Sequence, residues 1–258
     1  MLCRMQETII VIPCYNEALR LPVEEFKQNF ELYPNVLFLF VNDGSTDTTF
    51  QLLQSFEKDF KNVKAIDKTP NGGKAKAVQY AVNYAIENYS FKYIGYFDAD
   101  LATPLFEIKR FLDFFAENSK LKVVVGSRVR RLGANIERNW KRHLVGRVFA
   151  TFASSTLLLP VYDTQCGAKI FERELAKNIF KEEFISKWLF DVELFARITL
   201  FIGYLEAKEA IYEHPLEFWF EKGDSRIKSK DFFKLPIDLF KIYRKYHRKL
   251  KKNKQNIH

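Results

Sequence analysis

Short apolar runs that recur along the first half of this chain, each closed by a polar loop and followed by a helical stretch, limit it to an open α/β sheet. Residues 7–13, 36–41, 63–66 and 93–97 are rich in β-branched and aromatic side chains and lack polar alternation. That is the pattern of parallel strands buried on both faces. Between them the spacing predicts a helix over 18–33 with Leu21, Phe26 and Phe30 inward, another from the 42–47 loop to Phe60, and a third opened by Asn71-Gly72-Gly73-Lys74 and running to Asn88. The β-α-β-α-β-α-β order with short loops reads as a doubly wound, parallel sheet. Further on, the pattern predicts a helix from Pro104 to Asn118, a fifth strand over 122–126 and an apolar helix over 144–159. A short strand then leads to a helix from about Arg173, another helix begins within 188–194, and a strand spans 206–212. Residues 215–228 read as irregular.

The fourth run ends in Asp98-Ala99-Asp100. In open α/β sheets ligands bind beyond the carboxyl ends of the strands. Two Asp one residue apart converge there because the chain is already turning, and Mg²⁺ or Mn²⁺ is commonly held by one or two carboxylates and completed by substrate phosphates. An isolated Asp-x-Asp is more often a solvated turn. The other strand ends shift that balance: Pro13, Tyr15 and Glu17 follow the first strand, Asp43 the second, and Lys74 opens the third helix. Together they offer an aromatic face for a base, carboxylates for base and ribose donors, and a cation site for a diphosphate, which fits a nucleotide held across a switch point. Neither G-x-G-x-x-G after the first strand nor G-x-x-x-x-G-K-[ST] occurs, which argues against a dinucleotide dehydrogenase and a P-loop ATPase.

The net charge of +9 is uneven. Residues 226–258 hold twelve Lys or Arg against two Asp, about +10, so the remainder is nearly neutral. Nucleic-acid binders usually build their basic surface into the folded body, and no nucleic-acid partner is expected. Within 231–250, Phe232, Phe233, Leu235, Ile237, Leu239, Phe240, Ile242 and Tyr243 alternate with Lys and Arg, and Pro236 interrupts any single helix near its start. Such a segment suits an anionic membrane interface or a helix packed on the domain with its charges in water. Three distant cysteines, Cys3, Cys14 and Cys166, without C-x-x-C spacing, point to a reducing compartment rather than a disulfide framework or zinc site. Met1–Gln6 shows no apolar run of a signal peptide, and the longest uncharged stretch, 148–162, is too short to span a bilayer. The expectation is a cytoplasmic protein whose membrane contact is peripheral. With 26 Phe, some aromatic surface beyond the core is also expected.

Ile12-Pro13-Cys14-Tyr15-Asn16-Glu17, Val41-Asn42-Asp43-Gly44-Ser45-Thr46-Asp47, Asp98-Ala99-Asp100 and Gly126-Ser127-Arg128 resemble the signatures of family 2 glycosyltransferases. Asp163-Thr164-Gln165-Cys166-Gly167-Ala168-Lys169, Trp188 with Phe190, Asp191 and Glu193, and Glu217-x-Trp219 are most similar to the dolichyl- or polyprenyl-phosphate branch, on the dolichyl-phosphate β-glucosyltransferase side. The resemblance covers roughly residues 7–228. It implies a GT-A fold, Rossmann-like with a mostly parallel central sheet flanked by helices, in a single catalytic domain over 1–228, with 229–258 as a basic amphipathic segment. It also implies transfer of a hexose, glucose above others, from a UDP-sugar to a polyprenyl or dolichyl phosphate, with inversion and a Mg²⁺ or Mn²⁺ cofactor. On this resemblance Pro13, Tyr15, Glu17 and Asp43 grip the nucleotide, Asp98 contacts the donor and Asp100 holds the metal. Lys74 serves the diphosphate, and Gln165 and Lys169 line the diphosphate or sugar. Arg128 orients the acceptor phosphate, joined by Arg138 or Arg142 from a basic segment that includes Arg130, Arg131, Lys141 and Arg147. Asp191 orients donor sugar or acceptor.

Two departures stand out. Ala102 occupies a position where mannose-transferring members often have Gln, which weakens a mannosyltransferase reading, and Ala75 replaces a usual Gly. The transmembrane helices of many relatives have no counterpart, so the helix after Leu144 and the basic segment are the candidates for contact with the membrane's cytoplasmic face. The alternatives are the same fold acting on a saccharide hydroxyl with Asp191 as base, a haloacid dehalogenase-type phosphatase using Asp98-x-Asp100, and an inert domain with a nucleic-acid arm. Trp188 and Trp219 read as packing residues, Cys166 as a small buried thiol, and His143 and His214 as structural.

Overall fold

A computed structural model describes residues 7–137, 140–220 and 234–255, with side chains omitted for 140–145. Its elements run β1 (Thr8–Cys14), α1 (Val23–Leu32), β2 (Val36–Asn42), α2 (Thr49–Asp59), β3 (Val63–Asp67), α3 (Lys74–Asn88), β4 (Tyr93–Phe97), α4 (Glu107–Glu117) and β5 (Val123–Ser127). They continue with β6 (Asn135–Glu137), α5 (Trp140–Leu157), β7 (Ala168–Glu172), α6 (Arg173–Ile179), α7 (Phe190–Ile202), α8 (Tyr204–Ala210), β8 (Ile211–Pro215), β9 (Phe218–Phe220) and a C-terminal helix, α9 (Leu235–Gln255). One seven-stranded sheet has the order β3-β2-β1-β4-β7-β5-β8, and β6 and β9 form a separate pair. All neighbours in the large sheet are parallel except β7, which runs antiparallel to both β4 and β5.

The strand period of two sorts β1 between two cores: Ile10 and Ile12 face one cluster, Ile9 and Val11 the other. The first cluster includes residues of α1, α2 and α4; the second includes residues of α3, α5, α6, α7 and α9. Much of the phenylalanine excess is buried here. Phe30 touches Phe26, Phe38, Phe40, Phe56 and Phe60 with ring centroids 5.0–5.9 Å apart. Each buried Phe contributes about 1.5–3 kcal/mol, and edge-on ring pairs add roughly 0.5–1.5 kcal/mol. The expected aromatic surface also exists, at Phe106, Phe152, Phe201, Phe218 and Phe240.

Several boundaries differ from the sequence reading. The first helix begins at Val23 because Pro22 precedes it, and residues 17–21 instead close a turn in which Arg20 and Leu21 donate to the Glu17 carbonyl. Of the 206–212 strand only Ile211 and Tyr212 are in a strand, as the start of β8; residues 206–210 belong to α8, which starts after Gly203 and buries Ala207 and Ala210. Pro236 does not interrupt the last helix. It lies in the first turn of α9, where a missing N–H costs no intrahelical bond. Part of the stretch read as irregular forms β9; residues 221–233 lie outside the described residues.

Candidate active site

The loops after β1, β2 and β3 meet at one end of the sheet and are stitched together by short polar side chains. Asn16 N donates to Ser45 Oγ at 3.0 Å, and Thr46 N donates to Asn16 Oδ1 at 2.9 Å. Asn16 adopts φ 49°, a left-handed conformation that Asn tolerates better than most residues. Tyr15 is exposed on this rim, whereas Glu17 is buried and its N–H donates to Thr49 Oγ1 at 2.8 Å. Pro13 pairs with Val41 near the end of β1.

Asp43 is buried and organises the next loop. Its Oδ1 accepts from Lys68 Nζ at 2.7 Å and Gly72 N at 2.9 Å, and its Oδ2 accepts from Gly73 N at 2.6 Å. Gly44 has φ +66°, and a Cβ there would fall 2.6 Å from Asn71 N, so this loop-on-loop approach needs glycine. Lys68 carries no motif and was not singled out in the sequence; only the fold sets it against Asp43.

At the end of β4, Lys74 Nζ lies 2.5 Å from Asp98 Oδ1. Asp98 N donates to the Gly167 carbonyl at 3.0 Å. A Cβ on Gly167 would lie 1.8 Å from Asp98 Oδ2, so Gly167 is the space in which that carboxylate sits. Burial works against the Lys74 ammonium, but Asp98, Asp191 and Asp100 outweigh it and hold its pKa above the ordinary lysine value. Asp100 Oδ1 accepts from Ala102 N at 3.0 Å.

A buried ionic layer lies beneath. Asp191 Oδ1 accepts from Lys169 Nζ at 2.5 Å and from the Tyr96 hydroxyl, and Lys169 also donates to the Cys166 carbonyl at 2.6 Å. Burial, then the facing Asp191 carboxylate, pushes the Tyr96 phenol well above its ordinary pKa and keeps it a donor. The Lys74 and Lys169 ammoniums lie 5.5 and 5.4 Å from the Tyr96 ring centroid. Lys169 is thus a buried counter-ion, 1% exposed, rather than a residue on an open surface.

Beyond β5, Arg128 grips Asp163 with two donors, Nε to Oδ2 at 2.6 Å and Nη2 to Oδ1 at 2.8 Å. Burial alone would raise the Asp163 pKa, but Arg128 holds it well below the usual carboxylate range. The adjoining cleft is lined by Arg128, Arg147, Tyr162, Thr164 and Gln165 among others. Arg147 donates to the Tyr162 carbonyl at 3.0 Å and stacks 3.7 Å from that ring's centroid. Thr164 Oγ1 and Gln165 Nε2 are buried without a hydrogen-bond partner among the described residues, and such atoms are the ones a polar ligand satisfies. Arg138 and the side chain of Arg142 lie outside the described residues; among the described residues, Arg147 joins Arg128 in lining the cleft.

The donor set suits a hard cation only with help from a substrate. Asp98 and Asp100 supply carboxylates at the strand end, and among the described residues no group of three or more His, Cys, Asp or Glu side chains could enclose a metal ion. A cation held by one or two carboxylates and completed by phosphate oxygens fits this arrangement.

The sequence profile described as Glycosyl transferase family 2 matches residues 9–180. The chain belongs to glycosyltransferase family 2. Within it, a dolichyl-phosphate beta-glucosyltransferase of Trichomonas vaginalis is 30% identical over 247 residues, covering 91% of this chain and 70% of that protein. One from Dictyostelium discoideum is 29% identical over 201 residues, covering 72% and 60%. The chain therefore spans seven tenths and three fifths of these two relatives' lengths. Among solved structures, glucosyl-3-phosphoglycerate synthase from Mycobacterium tuberculosis in complex with Mn²⁺, UDP-glucose and phosphoglyceric acid superposes with TM-score 0.68 at 15% identity, covering 92% of this chain and 80% of that one. Its fold confirms the GT-A architecture of this glycosyltransferase. The expected family and mostly parallel sheet are both borne out.

Proposed function

We propose that this glycosyltransferase moves glucose from UDP-glucose to a polyprenyl or dolichyl phosphate, with inversion, at the cytoplasmic face of a membrane. The observation that carries the reading is the layout at the strand ends. Asp98, Asp100 and Lys74 form a charged centre suited to a donor diphosphate. Beyond β5, an arginine-lined cleft with unsatisfied polar atoms suits an acceptor anion. The names of the T. vaginalis and D. discoideum relatives supply the acceptor class, and Mn²⁺ with UDP-glucose in a protein of the same fold supports the donor and metal.

Mg²⁺ or Mn²⁺ at Asp100 would act as a Lewis acid for the charge developing on the leaving diphosphate. Tyr15 offers a ring to the base at the rim, with Pro13, Glu17 and Asp43 shaping the nucleotide wall behind it. Asp98, held by Lys74 and seated against Gly167, orients the donor. Asp163 fixes Arg128 by one edge of its guanidinium, leaving its remaining N–H donors for the acceptor phosphate. Gln165 presents an amide donor to the same cleft. The acceptor is already an anion, so the reaction needs orientation rather than deprotonation. Transfer to a saccharide hydroxyl would instead require Asp191 as base. The burial of Asp191 and its bonds from Lys169 and Tyr96 favour a supporting role.

The test is transfer from labelled UDP- and GDP-sugars to a short polyprenyl phosphate in detergent with Mn²⁺ or Mg²⁺. Lipid-linked glucose from UDP-glucose is the expected product. Binding of UDP without lipid product would move the acceptor to a saccharide, and mannose transfer from GDP-mannose would overturn the donor.

A further inference from the structure

The last helix has two apolar faces. Ile242, Tyr246 and Leu250, at i, i+4 and i+8, are buried in the same cluster as α7. The Tyr246 hydroxyl donates to buried Glu193 on α7 at 2.6 Å, and Ser186 donates to Asp238 at 2.7 Å. This face is anchored on the catalytic domain. A second face is open: Ile237, Phe240 and Tyr243 are 56%, 58% and 42% exposed. Phe240, Tyr243 and His247 stack in series along it, with centroids 6.5 and 4.4 Å apart.

His247 joins this stripe to α5, its Nδ1 lying 3.1 Å from the Thr156 carbonyl. On the α5 face that carries Thr156, one and two turns earlier, Phe152 and Val148 are 61% and 53% exposed. The same helix lines the Arg128 cleft through Gly146, Arg147, Phe149 and Ala150. Around the aromatic stripe, α9 carries eight Lys or Arg (residues 241, 244, 245, 248, 249, 251, 252 and 254) against the single acid Asp238.

We propose that the outer faces of α9 and α5 form one rigid docking surface for an anionic lipid bilayer, with Ile237, Phe240, Tyr243, Phe152 and Val148 entering the interface and the α9 lysines and arginines meeting lipid phosphates. Apolar stripes set within dense positive charge are what an anionic interface selects. Lys241 lies 3.4 Å from Asp238 and Lys245 3.6 Å from Glu193, so an apolar protein groove would cover the aromatics but offer no counter-charge to the other six cations, which lipid phosphates supply. Because Tyr246 and Glu193 fix α9 to α7, the surface docks the whole domain. α5 then spans from the bilayer to the acceptor cleft, so a phosphate head group is reached without the enzyme leaving the interface. The inference rests on the lipid-phosphate reading for its purpose but not for its test.

The test is co-sedimentation of the full chain with vesicles of phosphatidylcholine alone and of phosphatidylcholine with 30% phosphatidylserine, free of donor and acceptor. At least ten-fold tighter binding to the anionic vesicles is expected, weakening with salt. F240S/Y243S, which touches only exposed rings, should lose ten-fold or more of that binding while its melting temperature and its turnover of a short acceptor in detergent stay unchanged. R244Q/R248Q should lose binding to anionic vesicles specifically. Equal binding by F240S/Y243S and the parent chain would overturn the surface. So would absence of vesicle binding, or preference for an RNA oligonucleotide over anionic vesicles. Vesicle binding without any glucosyl transfer would keep the surface and remove the proposed reaction. Transfer to a short acceptor without vesicle binding would do the reverse.

Discussion

Lys169 Nζ lies 2.5 Å from Asp191 Oδ1 in a layer where both side chains are almost wholly buried, and the Tyr96 hydroxyl donates to the same oxygen. The pair connects β7 to α7 directly beneath Asp98. It gives Asp191 the character of a fixed counter-charge.

Removing one partner leaves an uncompensated buried charge. Lys169→Met is expected to destabilise the protein by about 3–5 kcal/mol, whereas Lys169→Met/Asp191→Leu should recover much of that loss. Urea denaturation of the two variants checks this. A double variant no more stable than the single would show that the ionic pair is not what Lys169 contributes.

Gly167→Ala places a methyl on the Asp98 carboxylate. Asp98 must swing away from Lys74, and kcat/KM should fall about 100-fold, close to 2.7 kcal/mol in transition-state stabilisation. The melting temperature should change by only a few degrees. Near-normal turnover would mean that the position of Asp98 is immaterial.

Asp100→Asn should abolish metal-dependent transfer while leaving the fold intact, and chelation of divalent cations should have the same effect on the parent enzyme. Circular dichroism and a donor-turnover assay over a Mn²⁺ titration separate the two. Full activity of the variant would remove Asp100 from the metal site.

Asp163 gives stability an acid limit. Its folded-state pKa lies below its unfolded value, so the contribution of the Arg128 pair is fully present above the ordinary carboxylate range and drains away as pH falls below about 4 towards the folded value. Asp163→Asn should cost about 3 kcal/mol at pH 7 and less at pH 3. Thermal melts at both pH values measure it, and an equal deficit at the two would contradict the pairing.

Tyr246→Phe removes the hydroxyl that ties α9 to Glu193. A hydrogen bond to a charged group contributes about 1.5–3 kcal/mol. The variant should lose that much in denaturant unfolding and expose α9 to limited proteolysis earlier. Unchanged stability and protection would mean that the helix is held by Ile242, Leu250 and its other contacts, such as Ser186 with Asp238, without the Tyr246 hydroxyl.

Much of this protein was legible one residue at a time. The buried strands 8–14, 36–42, 63–67 and 93–97 announce themselves because parallel strands covered on both faces must be apolar throughout. The turn residues Asp43-Gly44 and Asp98-Ala99-Asp100 mark the strand ends from which the proposed site is built. Pro236 and the 206–212 stretch differ between sequence pattern and structure for separate reasons. A proline is harmless in a helix's first turn, and where a helix yields to a strand is set by what each segment packs against. The tertiary structure alone decided which charges pair. No spacing joins Lys68 to Asp43, Lys169 and Tyr96 to Asp191, or Arg128 to Asp163. Each pair spans elements distant in sequence, and its strength comes from water being excluded where the elements meet. The sequence determined the scaffold and the motif residues at its strand ends, because local hydrophobic period and turn chemistry act over a few residues. Which of those residues are held buried and which remain open to a ligand was decided only when the sheet brought its loops together.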